Sequence, residues 1–156
     1  MQNITYHRAT PNDIQTLVDY RTLFAIDMAG EQTPQAIAEL KQHFKTYFQK
    51  TISNHTCIGY IAKQGNQVAG IGALIIREQP GTFKNPSGKV GYYMNMYTVP
   101  AFRRKGVCSS ILKALEKAAA ETGITAFELH ATKDGEFVYH QHGFKLHNEP
   151  TYRKYL

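Results

Sequence analysis

A chain of 156 residues, 42% hydrophobic and 19% charged with 10 Tyr and 8 Phe, has the size and composition of one globular domain and not of a disordered chain. Its net charge of +6 is evenly spread: nine Lys/Arg and six Asp/Glu fall in residues 1–100 and the same numbers in residues 101–156, with no basic block longer than Arg103-Arg104-Lys105. Such a pattern steers small anions and argues against nucleic acid as a partner.

Ile4 to Arg8 alternates as a short strand, and Pro11-Asn12-Asp13 supplies a turn and a helix cap. Ile14, Leu17, Val18, Leu23 and Phe24 then follow helical spacing up to an interruption at Gly30. Thr33-Pro34 is a cap and first-turn pair opening a second helix, which carries Ile37, Leu40, Phe44, Tyr47 and Phe48. Two strands, Cys57 to Ala62 and Val68 to Ile76, form a hairpin around Lys63 to Gln67. Gln79 to Lys89, with two prolines and two glycines, reads as a loop. Val90 to Val99 is a strand stopped by Pro100, and Val107 to Thr122 a helix closed by Gly123. Ile124 to Ala131 is a further strand, Gly135 to Gln141 a short helix, and Phe144 to Leu146 with Tyr152 to Tyr155 have strand character. The whole chain, 1–156, is expected to be a single α/β domain with a mixed sheet.

The longest apolar run, Val68 to Ile76, is far short of the roughly 20 residues that span a bilayer, so no membrane partner is expected. Met1 to Tyr6 lacks the basic start and apolar stretch of a signal peptide, and two cysteines do not make a disulfide framework. A cytoplasmic protein is expected.

The chemistry concentrates between residues 95 and 144. In Thr98-Val99-Pro100-Ala101-Phe102-Arg103-Arg104-Lys105-Gly106-Val107-Cys108-Ser109 a strand ends, a basic turn follows and a long helix begins. A helix start presents unpaired N–H groups and the positive end of the macrodipole, and Gly106 allows close approach, which suits a phosphate. The alternative is an ordinary strand–loop–helix connection with solvated basic residues. No dinucleotide or P-loop glycine pattern occurs.

The segment resembles the coenzyme A-binding motif of the GNAT superfamily of N-acetyltransferases, [RQ]-x-x-G-x-[GA]. Arg103 stands at its first position and Gly106 at its fourth, while Cys108 departs from the usual Gly or Ala. Downstream, Tyr139-His140-Gln141-His142-Gly143-Phe144 is similar to the family's Y-x-x-x-G-F. Asn95 to Thr98 and Leu129 to Thr132 resemble one bacterial branch of small members, and the order of elements is the family's over the whole chain. The resemblance implies a mixed central sheet splayed between its fourth and fifth strands and flanked by helices.

It also implies an enzyme moving an acetyl group from acetyl-CoA to a primary amine in a ternary complex, without a metal. Amides from Arg103 through Arg104, Lys105, Gly106, Val107 and Cys108 to Ser109 would hold the pyrophosphate. Tyr97, Thr98 and Val99 would pair with the pantetheine arm as an added strand. An amide near Met96 or Tyr97 would polarise the thioester carbonyl. Thr132 stands where many relatives carry a cofactor-holding Asn. Tyr139 would be the general acid, since a phenol with reference pKa about 10 can supply a thiolate near 8.5 with a proton; the competing reading is a core tyrosine.

For the base, Asn95 is chemically incompetent, and of Glu128 and His130 on the second splayed strand His130 has the better intrinsic pKa. Glu31, between the first two helices, is placed with Asn95 on the acceptor side, against the simpler reading of Glu31 and Asp27 as solvated charges. Tyr92, Tyr93, Tyr97 and Phe83 suggest an aromatic acceptor cleft. His140, His142 and His147 have no tetrahedral zinc spacing. Cys57 and Cys108 read as small apolar fillers, although Cys108 beside cations at a helix start is a candidate for a lowered pKa. The acceptor is a small-molecule or peptide amine, and the fold leaves a homodimer open. The rival reading is a non-catalytic acyl-CoA-binding or sensing module on the same fold.

Overall fold

Thr10 and Asp13 start the first helix by capping each other. The Asp13 carboxylate accepts the Thr10 N–H at 2.9 Å, and the Thr10 hydroxyl accepts the Asn12 N–H at 3.3 Å. This reciprocal cap sets a 3-10 turn at Pro11–Asp13 ahead of α1 (Ile14–Ala29), which ends at Gly30. Thr33 caps α2 (Pro34–Ser53) through the Ala36 N–H at 3.2 Å. The helix runs five residues beyond Phe48, the last of the apolar positions that define it in the sequence.

These elements belong to a computed structural model that describes residues 3–156. Strands β1 (Ile4–Arg8), β2 (Cys57–Gln64), β3 (Gln67–Glu78), β4 (Lys89–Thr98) and β5 (Phe127–Glu128) lie side by side in chain order. The first three pairings are antiparallel, whereas β4 and β5 run parallel across α3 (Val107–Ala120). A short helix α4 (Glu136–Gln141) follows β5. The sheet is therefore mixed, with α1 and α2 on one face and α3 on the other.

Each face has its own core. Leu17, Val18, Phe48, Ile61 and Ile71 pack under α1 and α2, and Ile58, Leu74, Ile111, Leu112 and Leu115 pack under α3. Helix α3 packs directly over a glycine of β3. A Cβ at Gly72 would lie 2.4 Å from the Ile111 side chain and 2.7 Å from Met96 Sδ. No helix among the described residues is long and apolar enough to cross a membrane.

Two strand expectations are corrected. The strand read over Ile124 to Ala131 pairs only at Phe127 and Glu128, opposite Gly91 and Tyr92. Beyond Tyr92 the two strands part, so Leu129 to Ala131 keep an extended sequence but lose the hydrogen-bonding neighbour that defines a strand. Phe144 to Leu146 and Tyr152 to Tyr155 form no strand: past Phe144 the chain is irregular, with Leu146, Tyr152 and Tyr155 exposed and no neighbour to pair with.

Burial raises the pKa of several acids that are neutral when protonated. Tyr47 is pushed up to about 12 by burial, with Cys57 adding to the rise and Arg77 opposing it, and Cys57 likewise rises to about 12. Tyr93 and Tyr139 rise for the same reason, and the buried Tyr93 hydroxyl has no hydrogen-bond partner. Above the ordinary values, 9.0 for Cys and 10.0 for Tyr, the unfolded chain binds fewer protons than the native one. Native stability therefore falls as pH climbs from about 9 towards 12. Urea midpoints measured from pH 8 to the alkaline side are expected to drop steadily, and a flat profile would contradict these buried environments.

Candidate active site

The break between β4 and β5 begins inside β4. Ile71 faces Tyr97 and Ala73 faces Met94, so Gly72 alone opposes both Asn95 and Met96. This is a β-bulge, and Asn95 adopts a left-handed backbone conformation with φ of 57°. Asparagine tolerates that conformation better than other residues with a Cβ, and it is depleted from regular strands. The extra residue reverses the alternation of the strand. Tyr93 packs into the α3 core, whereas Tyr97, four residues on, packs into the α1–α2 core with Phe24 at 6.0 Å between ring centroids. Neither Asn95 nor Met96 has a ladder partner on β3, so backbone groups are released at the mouth of the splay.

Beyond Thr98 the chain makes a 3-10 turn at Pro100–Phe102 and enters α3 through Arg104 (φ 60°) and Gly106 (φ 77°). The first upstream carbonyl bonded by α3 is that of Gly106, from the Ser110 N–H at 3.0 Å. Amides of Val107, Cys108 and Ser109 thus have no intrahelical acceptor, no side chain caps them, and the first turn has no acid. A Cβ on Gly106 would meet nothing within 4 Å, so the turn is open at the residue that precedes these amides. Open donors, open space and absent carboxylates fit the pyrophosphate of a coenzyme A thioester. Arg104 and Lys105 are exposed beside it.

Arg103 behaves differently from a phosphate-facing cation. Its Nε donates to the Thr98 carbonyl at 3.1 Å and its guanidinium pairs with Asp27 at 3.3 Å. It fastens the turn to the end of β4 and to α1. Tyr97 belongs to the same cluster: burial raises its pKa first, Asp27 adds to the rise, and Arg103 opposes it.

The Tyr139 to Phe144 stretch has a physical explanation. Gly143 (φ 83°) ends α4, its N–H bonded to the His140 carbonyl at 3.1 Å, and the Phe144 N–H reaches back to the Tyr139 carbonyl at 3.1 Å. This is a Schellman cap, and Phe144 closes it by packing edge-on against Tyr139 at 6.0 Å and Tyr93 at 5.7 Å. Gly135 lies under the Tyr139 ring, where a Cβ would come within 2.8 Å. The phenol is held by its ring, and its hydroxyl has no hydrogen-bond partner among the described residues. Burial, with Cys108 nearby, pushes its pKa well above the phenol range. Cys108 itself is half-buried, and burial raises its thiol, which corrects the expectation of a lowered pKa.

A cavity of about 640 Å³ opens at the splay. Met94, Asn95, Met96, Leu129, His130, Thr132 and Tyr139 line one side, and Arg21, Phe24, His43, Phe44 and Tyr47 from α1 and α2 line the other. His130 Nδ1 lies 2.7 Å from the Tyr92 hydroxyl, whose ring carries the Arg77 guanidinium 3.6 Å above its centroid. Thr132 borders the cavity while its carbonyl accepts the Gly135 and Glu136 N–H groups that start α4.

Of the expected site residues, Tyr139, His130, Asn95 and Thr132 meet at this cavity, and Arg103 to Ser109 form the turn beside β4. Tyr92 and Tyr93 also reach the cavity, but Tyr97 packs against Phe24 without lining it, and Phe83 is wholly exposed. Glu31 is exposed in the α1–α2 loop and does not line the cavity. Sequence reasoning missed Arg21, His43 and the bulge. Only Asn95 within a run of strand formers signalled the last of these.

Residues 23–144 match the family model described as acetyltransferase (GNAT) family. Among solved structures, a predicted acetyltransferase from Clostridium acetobutylicum, crystallised with acetyl-CoA, is 30% identical with TM-score 0.89, over 97% of this chain and 96% of that one. A GCN5-related N-acetyltransferase from Ralstonia eutropha JMP134 is 20% identical with TM-score 0.85, over 97% and 99% of the two chains. An aminoglycoside N-acetyltransferase in complex with CoA shares the fold, at 13% identity and TM-score 0.75, over 99% and 96%. No curated protein matches the sequence.

Proposed function

The chain belongs to the GNAT family of acetyltransferases, and on that footing we propose that it acetylates a primary amine directly, with acetyl-CoA and acceptor bound together. The observation that carries the reading is the meeting of a protonated phenol, an imidazole and a strand bulge on one cavity.

Bound acetyl-CoA supplies an activated acetyl thioester; the other requirements fall to the chain. Amides of Val107, Cys108 and Ser109 hold the pyrophosphate, and the end of β4 from Tyr97 to Val99 lies along the pantetheine arm. Arg103 acts through the backbone, because Thr98 and Asp27 occupy its side chain. Backbone groups released at Asn95 and Met96 orient the acetyl carbonyl. His130 takes the proton from the amine at Nε2, which requires the tautomer whose Nδ1–H donates to the Tyr92 oxygen 2.7 Å away. Tyr139 gives its proton to the thiolate as the C–S bond breaks and the C–N bond forms, and solvent returns it. A phenol whose pKa is raised stays protonated into the alkaline range and so remains a donor there.

Thiol release from acetyl-CoA across a panel of amines, beside calorimetric titration of acetyl-CoA alone, tests the reading. Binding together with release on at least one amine is the expected result. Binding with no release on any amine favours an acyl-CoA-sensing module, and no binding overturns the assignment of the α3 turn.

A further inference from the structure

The α1–α2 wall of the cavity has an unusual charge balance. Arg21, on α1, lies with its guanidinium carbon 5.0 Å from the ring centroids of both Phe24 and Phe44. Among the described residues it has no hydrogen bond and no ion pair, and no Asp or Glu lines the cavity. The carboxylates of the surrounding helices are engaged elsewhere: Asp19 pairs with Lys41 at 3.1 Å, Asp27 pairs with Arg103 at 3.3 Å, and Glu39 accepts from Gln35 at 3.2 Å. The other ionisable groups on this wall are His43 and Tyr47, and His130 stands opposite.

A guanidinium is charged throughout the physiological range, and burying it without a counter-charge is costly. Burial here lowers the Arg21 pKa, which reports that cost. Aromatic rings take the faces of a guanidinium and leave its N–H donors, which lie in the plane, for another partner. A planar fork of donors that enters a cavity without acids matches a carboxylate or a phosphate. Such a cavity repels a polycation, since each further ammonium would sit near Arg21 with nothing to neutralise it.

We infer that the acceptor amine carries an anionic group, a carboxylate or a phosphate, and that Arg21 binds it against the α1–α2 wall. The inference rests on the acetyl-transfer reading of the same cavity and narrows its substrate class. The amine then points towards His130 and Tyr139, across the cavity from its anionic end. Phe44, Tyr47 and Met94 offer apolar contact between the two, which suits an acceptor with an uncharged body.

Matched ligand pairs test this without depending on turnover. Phenylalanine and phenylalaninamide, and O-phosphoethanolamine and ethanolamine, are titrated calorimetrically into the protein saturated with CoA. Thiol release from acetyl-CoA is followed in parallel with each. In at least one pair the anionic member is expected to bind roughly tenfold tighter or more, and the pair that shows the difference separates carboxylate from phosphate. Arg21→Met should abolish the difference while CoA affinity and Tm are kept. Arg21→Lys, which retains the charge but not the fork, should preserve part of it and serves if the Met variant misfolds. Absence of an anionic preference in both pairs, or its survival in Arg21→Met, overturns the inference. An anionic preference without thiol release counts against acetyl transfer and not against Arg21. Release from the neutral members alone counts against Arg21 and not against acetyl transfer.

Discussion

Tyr139→Phe is expected to lower the rate of acetyl transfer by roughly 10²–10⁴-fold while acetyl-CoA binds as before. The substitution removes one hydroxyl that has no protein partner, so no other side chain is left unpaired. The packing is indifferent to the change, because the ring contacts with Phe144 at 6.0 Å and with Gly135 involve carbon alone. Tm should therefore move little. Acetyl-CoA affinity should also hold, since the pyrophosphate site lies on the α3 turn. The pH profile provides a second reading of the same residue. With the Tyr139 pKa raised by burial, the wild-type rate should show no decline through the ordinary phenol pKa near 10. A Phe variant that turns over as fast as the wild type would remove Tyr139 from the chemistry and leave it as a ring in the Schellman cap.

Gly106→Asp is the second large effect, and it acts on binding. A carboxylate at this position stands beside the uncapped amides of Val107, Cys108 and Ser109, where the phosphates are proposed to lie. Space is available, since a Cβ there meets nothing within 4 Å, so the cost to the fold is only the φ of 77°. That strain is on the order of 1 kcal/mol for a residue with a Cβ. Losing two charge-assisted hydrogen bonds at about 1.5–3 kcal/mol each predicts a fall in acetyl-CoA affinity of at least a hundredfold. Gly106→Asn has the same shape and the same backbone strain without the charge, and its loss should be far smaller. Calorimetric titration of the two variants separates electrostatics from strain, and equal affinities in both would show that no anion occupies this turn.

The two variants probe parts of the molecule that differ in how they could be read. The α3 turn was legible because its features are local. Arg103 to Ser109 is one continuous stretch, and the open amides follow from any helix start in which Gly106 rather than a capping side chain precedes the first turn. The Tyr139 to Phe144 stretch was legible for the same reason, since a Schellman cap is complete within six residues. Order and type of elements as far as α4 followed from periodicity, with the helix starts marked by Pro11 to Asp13 and by Thr33.

Other features were decided between distant segments. The parity of β4 changes at Asn95, opposite Gly72 of β3, so that Tyr97 packs into the α1–α2 core, and the cavity is lined without it. β5 shrinks to Phe127 and Glu128 because the neighbouring strand departs, although Leu129 to Ala131 keep strand propensity. Asp27 claims the Arg103 guanidinium across 76 residues of chain. The Cys108 thiol rises because the core around it removes water.

Sequence by itself therefore determined the α/β class, the element order as far as α4 and the two stretches that carry the resemblance, since each rests on neighbours along the chain. Tertiary structure alone decided which side chains share the cavity, how strongly each is desolvated, and that Arg21 enters it without a carboxylate. Those properties depend on which residues meet across the sheet and on how much water is left between them.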